Sequence, residues 1–359
     1  RNSHVQVHQF HPTVAYGGAI SNQILNLQRL LRGMGYRSEI FCERLPLQFE
    51  GQTRQIAEYR KYASPKNLLL LHFSMSYSAE VLSWLERIPD RKVLVYHNIT
   101  PHTYFAGISG PHVEAARAGR QQLDRLREVT EAAWGVSAFN CRELAERGWS
   151  DCGVLPIIFD PKRYEVRPDR KVRRRLQDGL NVLFVGRLVP NKRFEDLILT
   201  FYHLKRSVRP DARLLLVGSM QKMDRYLEFL QVLIGRLSLQ DVIFTGHVST
   251  SELVAYYQSA SVYLSMSEHE GFGVPLLESM HFEVPIVAYK AAAIPETLGK
   301  SGVRITVKDY AKVAELIDLL TEDESLQEKI ILRQRERLHD FLPDTIEVRL
   351  LELLSDIGV

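Results

Sequence analysis

Two carboxylates bracket a glycine turn in "EHEGFGVPLLESM", residues 268–280. Glu270 precedes Gly271-Phe272-Gly273-Val274, and Glu278 follows it. Gly271 and Gly273 let the backbone approach a ligand closely, and Pro275 stands where proline opens a helix. A helix N-terminus offers free N–H groups and partial positive charge, which suits a phosphate. A carboxylate accepts hydrogen bonds from hydroxyls. Carboxylates on both sides of a phosphate site would therefore suit a nucleotide sugar. The plainer alternative is a capped turn in which Glu270 serves the helix dipole. A second constellation lies in "FVGRLVPNKRF", residues 184–194. There Gly186 ends a strand, and Arg187 and Lys192 leave the following loop. A planar guanidinium and a point-charge ammonium could together neutralise a diphosphate, although spacing alone equally allows a solvated pair.

These loops need strands to position them. "HVQVHQF" (4–10), "RSEIFC" (37–42), "NLLLLHF" (67–73), "KVLVYHN" (92–98) and "AAWGVS" (132–137) read as strands. "AISNQILNLQRLLRGMG" (19–35) reads as a helix, with Ile20, Ile24, Leu27, Leu31 and Met34 at helical spacing. After a charged stretch the alternation restarts with "NVLFVGR", "ARLLLVGS", "VIFTGHV", "SVYLSMS", "PIVAY" and "GVRIT". Leucine-rich and β-branched strands that alternate with helices imply parallel sheets covered on both faces. The pattern predicts an α/β chain of two doubly wound, Rossmann-like domains, 1–165 and 166–340. Residues 341–359 are expected as a final helix that packs back toward the first domain. In such sheets ligands sit beyond the carboxyl ends of the strands, and the expected site is a cleft where the two domains face each other.

Composition narrows the classes. The chain has 359 residues, 45% apolar, with a formal charge of only +3, which gives no sign of a nucleic-acid binder. Three cysteines, Cys42, Cys141 and Cys152, are few, odd in number and not in metal spacing, which suits a reducing compartment. No apolar run reaches membrane-span length and no signal peptide is visible, so the expected location is cytoplasmic. The basic run "RPDRKVRRR" (167–175) reads first as a solvated linker or helix face. Its alternative is peripheral contact with anionic lipid at the inner face of the cytoplasmic membrane. His4, His8 and His11 do not form a convincing metal site, and no metal is expected.

"VGRLVPNK", followed about eighty residues later by "EGFGVPLLE", resembles the large retaining glycosyltransferase family often called family 4, whose fold is GT-B. Its hallmark of two glutamates separated by seven residues is met by Glu270 and Glu278. "HPTVAYGGAISNQI" resembles the family's N-terminal glycine loop, and "YHNITPHTYF" its catalytic-histidine strand. The resemblance implies that Arg187 and Lys192 bind the donor diphosphate, with Gly186 in their turn. It implies that Glu278 holds the ribose and that Glu270 sits by the transferred sugar. Gly271, Phe272, Gly273 and Val274 would surround the sugar and phosphate, Gly246, His247 and Val248 the base. Gly17 and Gly18 would close over the diphosphate. His97 would meet the sugar's C6 hydroxyl or the acceptor, and His72, Asn98 and Tyr104 would contribute to acceptor binding. The chain departs from the family in two places: no acid follows Gly17-Gly18, and Arg193 stands where glycine is common.

The leading expectation is a hexosyltransferase that acts with retention and without a metal or other cofactor. Its co-substrate would be a nucleotide-diphospho-sugar, GDP-mannose before UDP-glucose. Its acceptor would be a glycan or lipid-linked chain such as an O-antigen or lipopolysaccharide precursor. The alternatives are an epimerase or phosphorylase on the same scaffold, or a non-catalytic sugar-nucleotide-binding protein. A dehydrogenase would need a G-x-G-x-x-G turn after an early strand, and none is present.

Overall fold

The computed structural model describes residues 5–15, 18–45 and 51–359. Gly17 and His4 lie outside the described residues. The chain divides into two compact units. The first comprises Arg1–His102, Pro111–Asp160 and Phe341–Val359, the second Thr103–Gly110 and Pro161–Asp340. The division thus falls after Asp160 rather than after residue 165, and the segment 103–110 goes with the second unit.

In the first unit seven parallel strands form one sheet. They are β1 (Val7–Phe10), β2 (Ile40–Cys42), β3 (Thr53–Gln55), β4 (Leu68–Phe73), β5 (Arg91–Tyr96), β6 (Ala132–Gly135) and β7 (Cys152–Val154), in the order β3-β2-β1-β4-β5-β6-β7. β4 is buried along its whole length, as a strand covered on both faces must be. The helix Ala19–Gly33 turns Ile24, Leu27 and Leu31 inward. The last helix, Pro343–Asp356, inserts Ile346, Leu350, Leu353 and Leu354 into a core shared with Val7, Leu68, Leu70, Val93 and Val95. Each fully buried aliphatic side chain contributes roughly 1.5–3 kcal/mol, so this helix belongs structurally to the unit that the chain began. The edge strands β3 and β7 escape a reading by pattern because each is three residues long and carries no apolar run.

One expectation is overturned. Cys141 and Cys152 form a disulfide, with Cα atoms 5.5 Å apart, and only Cys42 is a free, buried thiol. The helix Ala138–Glu146 packs beside β7 and brings the two together. The cysteine count therefore no longer argues for a reducing compartment.

The second unit repeats the plan with six parallel strands. They are β8 (Asn181–Val185), β9 (Arg213–Val217), β10 (Val242–Gly246), β11 (Val262–Ser265), β12 (Ile286–Tyr289) and β13 (Val303–Ile305), in the order β10-β9-β8-β11-β12-β13. In each sheet the winding direction reverses once, between β1 and β4 and between β8 and β11. Crevices open at the carboxyl ends of strands at such reversals. No helix among the described residues is long and apolar enough to cross a membrane.

Candidate functional site

In the second unit the predicted charges converge on the β8/β11 reversal. Lys192 ends a short 3-10 turn, Pro190–Lys192, after β8. Its Nζ lies 2.5 Å from Glu270 Oε1, in the loop after β11, and both side chains are largely buried. Ser267 Oγ donates to the same carboxylate oxygen at 3.1 Å. Asn191 joins the two loops, donating from Nδ2 to His269 O at 2.9 Å and accepting from the Glu268 N–H at its own carbonyl. Arg187 is exposed in the same loop as Lys192. A cation and a carboxylate are thus fixed side by side, able to present one positive centre and one hydroxyl acceptor to a ligand.

Glycines shape the floor beside this pair. Gly218 adopts φ +148°, and a Cβ there would lie 2.1 Å from Gly186 O. Only glycine lets the ends of β8 and β9 approach so closely. Gly246 follows at φ +69°, with exposed His247 beyond it. Gly218 had escaped notice because it reads as the ordinary end of a leucine-rich strand.

The turn 271–273 leads into the helix Val274–His281. Gly273, at φ +93°, precedes it without a side-chain cap, and no acid occupies the first turn. The Phe272 carbonyl accepts from Thr297 Oγ1 at 2.6 Å, which pins the turn. Gly273 itself supplies no cap, and a helix N-terminus of this kind suits an anion. Glu278 lies one turn inside, buried against Tyr164, Tyr257 and Arg163. Burial pushes its carboxyl pKa above the usual value, against the opposing effects of Arg163 and hydrogen bonds from both tyrosines.

Arg193, at the position where the resembled family commonly has glycine, takes glycine's conformation: φ is +55° and ψ +54°. Its side chain offsets the strain. It pairs with Asp196 at 3.0 Å, Glu195 at 3.1 Å and Glu268 at 3.4 Å. Lys308 closes the network, 2.7 Å from Asp196 and 3.0 Å from Glu268, with its ammonium over the Tyr289 ring. Burial alone would raise the Asp196 pKa, but hydrogen bonds from Arg193, Lys308 and Tyr310 outweigh it and hold it below the usual range. The sequence reading missed Asp196, Glu268 and Lys308 because they are scattered among ordinary surface-type charges.

In the first unit, residues from β1, β4 and β5 meet at the other reversal. His72 is fully buried at the end of β4. Its Nδ1 lies 2.8 Å from Nε2 of half-buried His97, which follows β5. His11, after β1, contacts the Thr13 carbonyl and, at 3.3 Å, Ser74 Oγ. Burial, with His11 adding to it, drives the His97 pKa down to about 3. Gly18 precedes the helix Ala19–Gly33 at φ −72°, again without a side-chain cap.

Two residues named for acceptor binding have partners of their own. Asn98, at φ +83°, donates its amide to Asn140 Oδ1 at 2.8 Å and Glu143 Oε2 at 2.7 Å. It is therefore tied into the domain's own framework. Tyr104 belongs to the segment 103–110. It stands in the second unit, its ring 6.3 Å from that of His269.

Comparison with known proteins agrees with this architecture. Residues 166–337 match the family model described as "Glycosyl transferases group 1". The chain is 31% identical over 216 residues to a GDP-mannose-dependent alpha-(1-6)-phosphatidylinositol monomannoside mannosyltransferase of Mycolicibacterium smegmatis, covering 56% of this chain and 55% of that protein. It is 27% identical over 174 residues to the capsular polysaccharide biosynthesis glycosyltransferase CapM of Staphylococcus aureus, covering 48% and 44%. The chain thus spans about half the length of the curated relatives it matches. Among solved structures, Anabaena HepE in complex with UDP and glucose superposes with a TM-score of 0.75 at 17% identity, covering 98% of this chain and 100% of that one. Sucrose-phosphate synthase from Thermosynechococcus elongatus does so at 0.75 and 18%, covering 98% of each chain. At these identities the likeness speaks for the fold: two Rossmann-like domains of the GT-B type.

Proposed function

Through residues 166–337 the chain belongs to the glycosyl transferases group 1 family, and from that premise we propose that it transfers a hexose from a nucleotide-diphospho-sugar with retention and without a metal. The observation that carries this reading is the Lys192–Glu270 pair, set at the β8/β11 reversal beside the uncapped helix start at Gly273. In this reading Lys192, Arg187 and the helix end hold the diphosphate, and Glu278 holds the ribose. Gly18 and the loops at Gly246, His247 and Val248 complete the donor site. Glu270 and His97 meet the sugar or the acceptor. The C1–O bond to phosphate breaks, and its electron pair stays on the diphosphate oxygen. The acceptor hydroxyl oxygen bonds C1 from the same face, and its proton passes to that departing oxygen. The cations and helix dipole stabilise the charge that develops on the leaving group.

GDP-mannose is the first donor in this proposal, by analogy with the mycobacterial relative, and UDP-glucose the second. The acceptor is a glycan or lipid-linked chain. Peripheral membrane association belongs to the same proposal. Arg170, Arg173, Arg174 and Arg175 are exposed, and among the described residues no ion pair joins them to a carboxylate.

A panel of GDP-, UDP-, ADP- and dTDP-linked sugars, with nucleotide release as readout, tests the reading. One donor is expected to be turned over in the presence of EDTA, with the anomeric configuration kept in the product. No release from any donor, or an inverted product, ends the proposal. Co-sedimentation with anionic but not neutral vesicles checks the membrane contact.

A further inference from the structure

A chain of hydrogen bonds runs from a helix carbonyl to His97, and it leaves no freedom in where the protons sit. Gln9 and His72 are both wholly buried. Gln9 Nε2 lies 3.0 Å from the Ile24 carbonyl oxygen, in the helix Ala19–Gly33. A carbonyl only accepts, so the NH2 end of Gln9 must face Ile24 and its oxygen must face the other way. That oxygen lies 2.8 Å from His72 Nε2. An amide oxygen also only accepts, so His72 Nε2 carries a proton. A second proton on His72 would put an imidazolium in a fully buried site, where burial and two neighbouring histidines oppose it. His72 Nδ1 is therefore bare. It faces His97 Nε2 at 2.8 Å, so the proton in that contact belongs to His97. Being neutral as well, His97 has no proton left for Nδ1. Among the described residues no hydrogen bond reaches that nitrogen. The carbonyl and amide oxygens set the direction of the chain, and burial keeps each ring neutral.

We propose that Gln9 and His72 are positioning residues that fix His97 as its Nε2–H tautomer, so that Nδ1 acts only as a hydrogen-bond acceptor and selects a group that donates, a hydroxyl or an amine. The role in catalysis rests on the reading above, in which His97 meets the sugar or the acceptor; the tautomer does not. His97 then cannot protonate a leaving group from Nδ1. A substrate in which fluorine or an ether replaces the contacting hydroxyl loses the interaction.

The test is long-range 1H–15N correlation NMR on the full chain labelled at histidine. It needs no variant and no turnover. His97 and His72 should each show a protonated Nε2 and a bare Nδ1 throughout the neutral pH range. A protonated Nδ1 on His97, or an imidazolium there at neutral pH, overturns the proposal. Gln9→Leu should release the chain and give exchange-averaged nitrogen signals at His72 and His97. Its kcat should fall roughly 2- to 10-fold, the loss of one neutral hydrogen bond, with nucleoside diphosphate affinity unchanged. Averaged signals together with an unchanged kcat would remove the positioning role. Failure to find any sugar donor bears on the reaction alone, since the nitrogen signals are read without one.

Discussion

At the carboxyl ends of β8 and β11 the side chains are charged and paired, whereas at those of β1, β4 and β5 they are histidines held neutral. The sheets share one topology, and both reversals open a crevice. What differs is how each manages burial. The second unit surrounds its buried charges with counter-charges: Lys192 with Glu270, and Arg193 and Lys308 with Asp196 and Glu268. The first unit keeps its histidines neutral and passes hydrogen bonds from Gln9 through His72 to His97. In the proposed reading the crevice at β8 and β11 takes the diphosphate and the other a hydroxyl-bearing group. Topology supplies the place, and side-chain electrostatics decide the ligand.

Removing a cation should produce the largest effect and should act on one crevice alone. Lys192→Ala is expected to lower the transfer rate roughly 10²- to 10³-fold, about 3–4 kcal/mol, the usual cost of losing a preorganised partner for developing charge. Arg187→Ala should fall in the same range. A near-normal rate for both in steady-state assays would show that the charged crevice is not where the diphosphate leaves.

Glu278→Gln comes next. It should weaken nucleoside diphosphate binding by roughly 10- to 100-fold in titration calorimetry, as expected when one charge-assisted hydrogen bond is lost. Its effect on folding should have the opposite sign. The folded pKa of Glu278 is raised by burial, so above the unfolded value the native state binds more protons than the unfolded chain. Stability from this group therefore declines as pH rises through that window. At neutral pH, Glu278→Gln should raise the melting temperature while it weakens binding. A variant that loses both would make Glu278 a structural residue.

The histidines predict the reverse pH slope. An unfolded histidine titrates near 6.5, and His97 is held near 3. Between those values the unfolded chain binds more protons, so stability is full above about 6.5 and falls as pH drops toward 3. Urea midpoints for the wild type and His97→Gln across this range should show a shallower acid loss in the variant. Parallel curves would mean that His97 is not held neutral by the fold.

How much of this was legible in the sequence follows from the distance over which each feature is encoded. β4 and β8 announce themselves because a strand buried on both faces is a nearly continuous apolar run. The turn around Gly273 is legible because glycine and proline encode local backbone geometry. The Lys192–Glu270 pair spans two loops seventy-eight positions apart, and only the family resemblance joined them. Asp196, Lys308 and Gln9 gave no signal, since a buried polar partner looks like any other polar residue until the chain folds. The cysteines misled for the same reason: spacing along the chain does not report that a helix brings Cys141 beside Cys152.

The smallest expected effect comes from Gly18, and it separates the two crevices at the level of the backbone. Gly218 and Gly273 have positive φ, and a Cβ on Gly218 would strike the Gly186 carbonyl, so those glycines are required by the fold. Gly18 has φ −72°, open to any residue, and a Cβ there would meet its nearest neighbour at 3.5 Å, an ordinary contact. Gly18→Ala thus faces two small, opposing terms. Alanine is a poorer N-cap than glycine, by up to about 1 kcal/mol. It also restricts the unfolded chain, which favours folding by roughly 0.4–1 kcal/mol. The net change in a urea titration should lie within about 0.5 kcal/mol of zero. If transfer nevertheless slows while stability holds, the glycine serves close approach of a ligand to an uncapped helix start. If stability falls by several kcal/mol, the first crevice is as tightly constrained as the second, and the contrast in backbone requirement between them is lost.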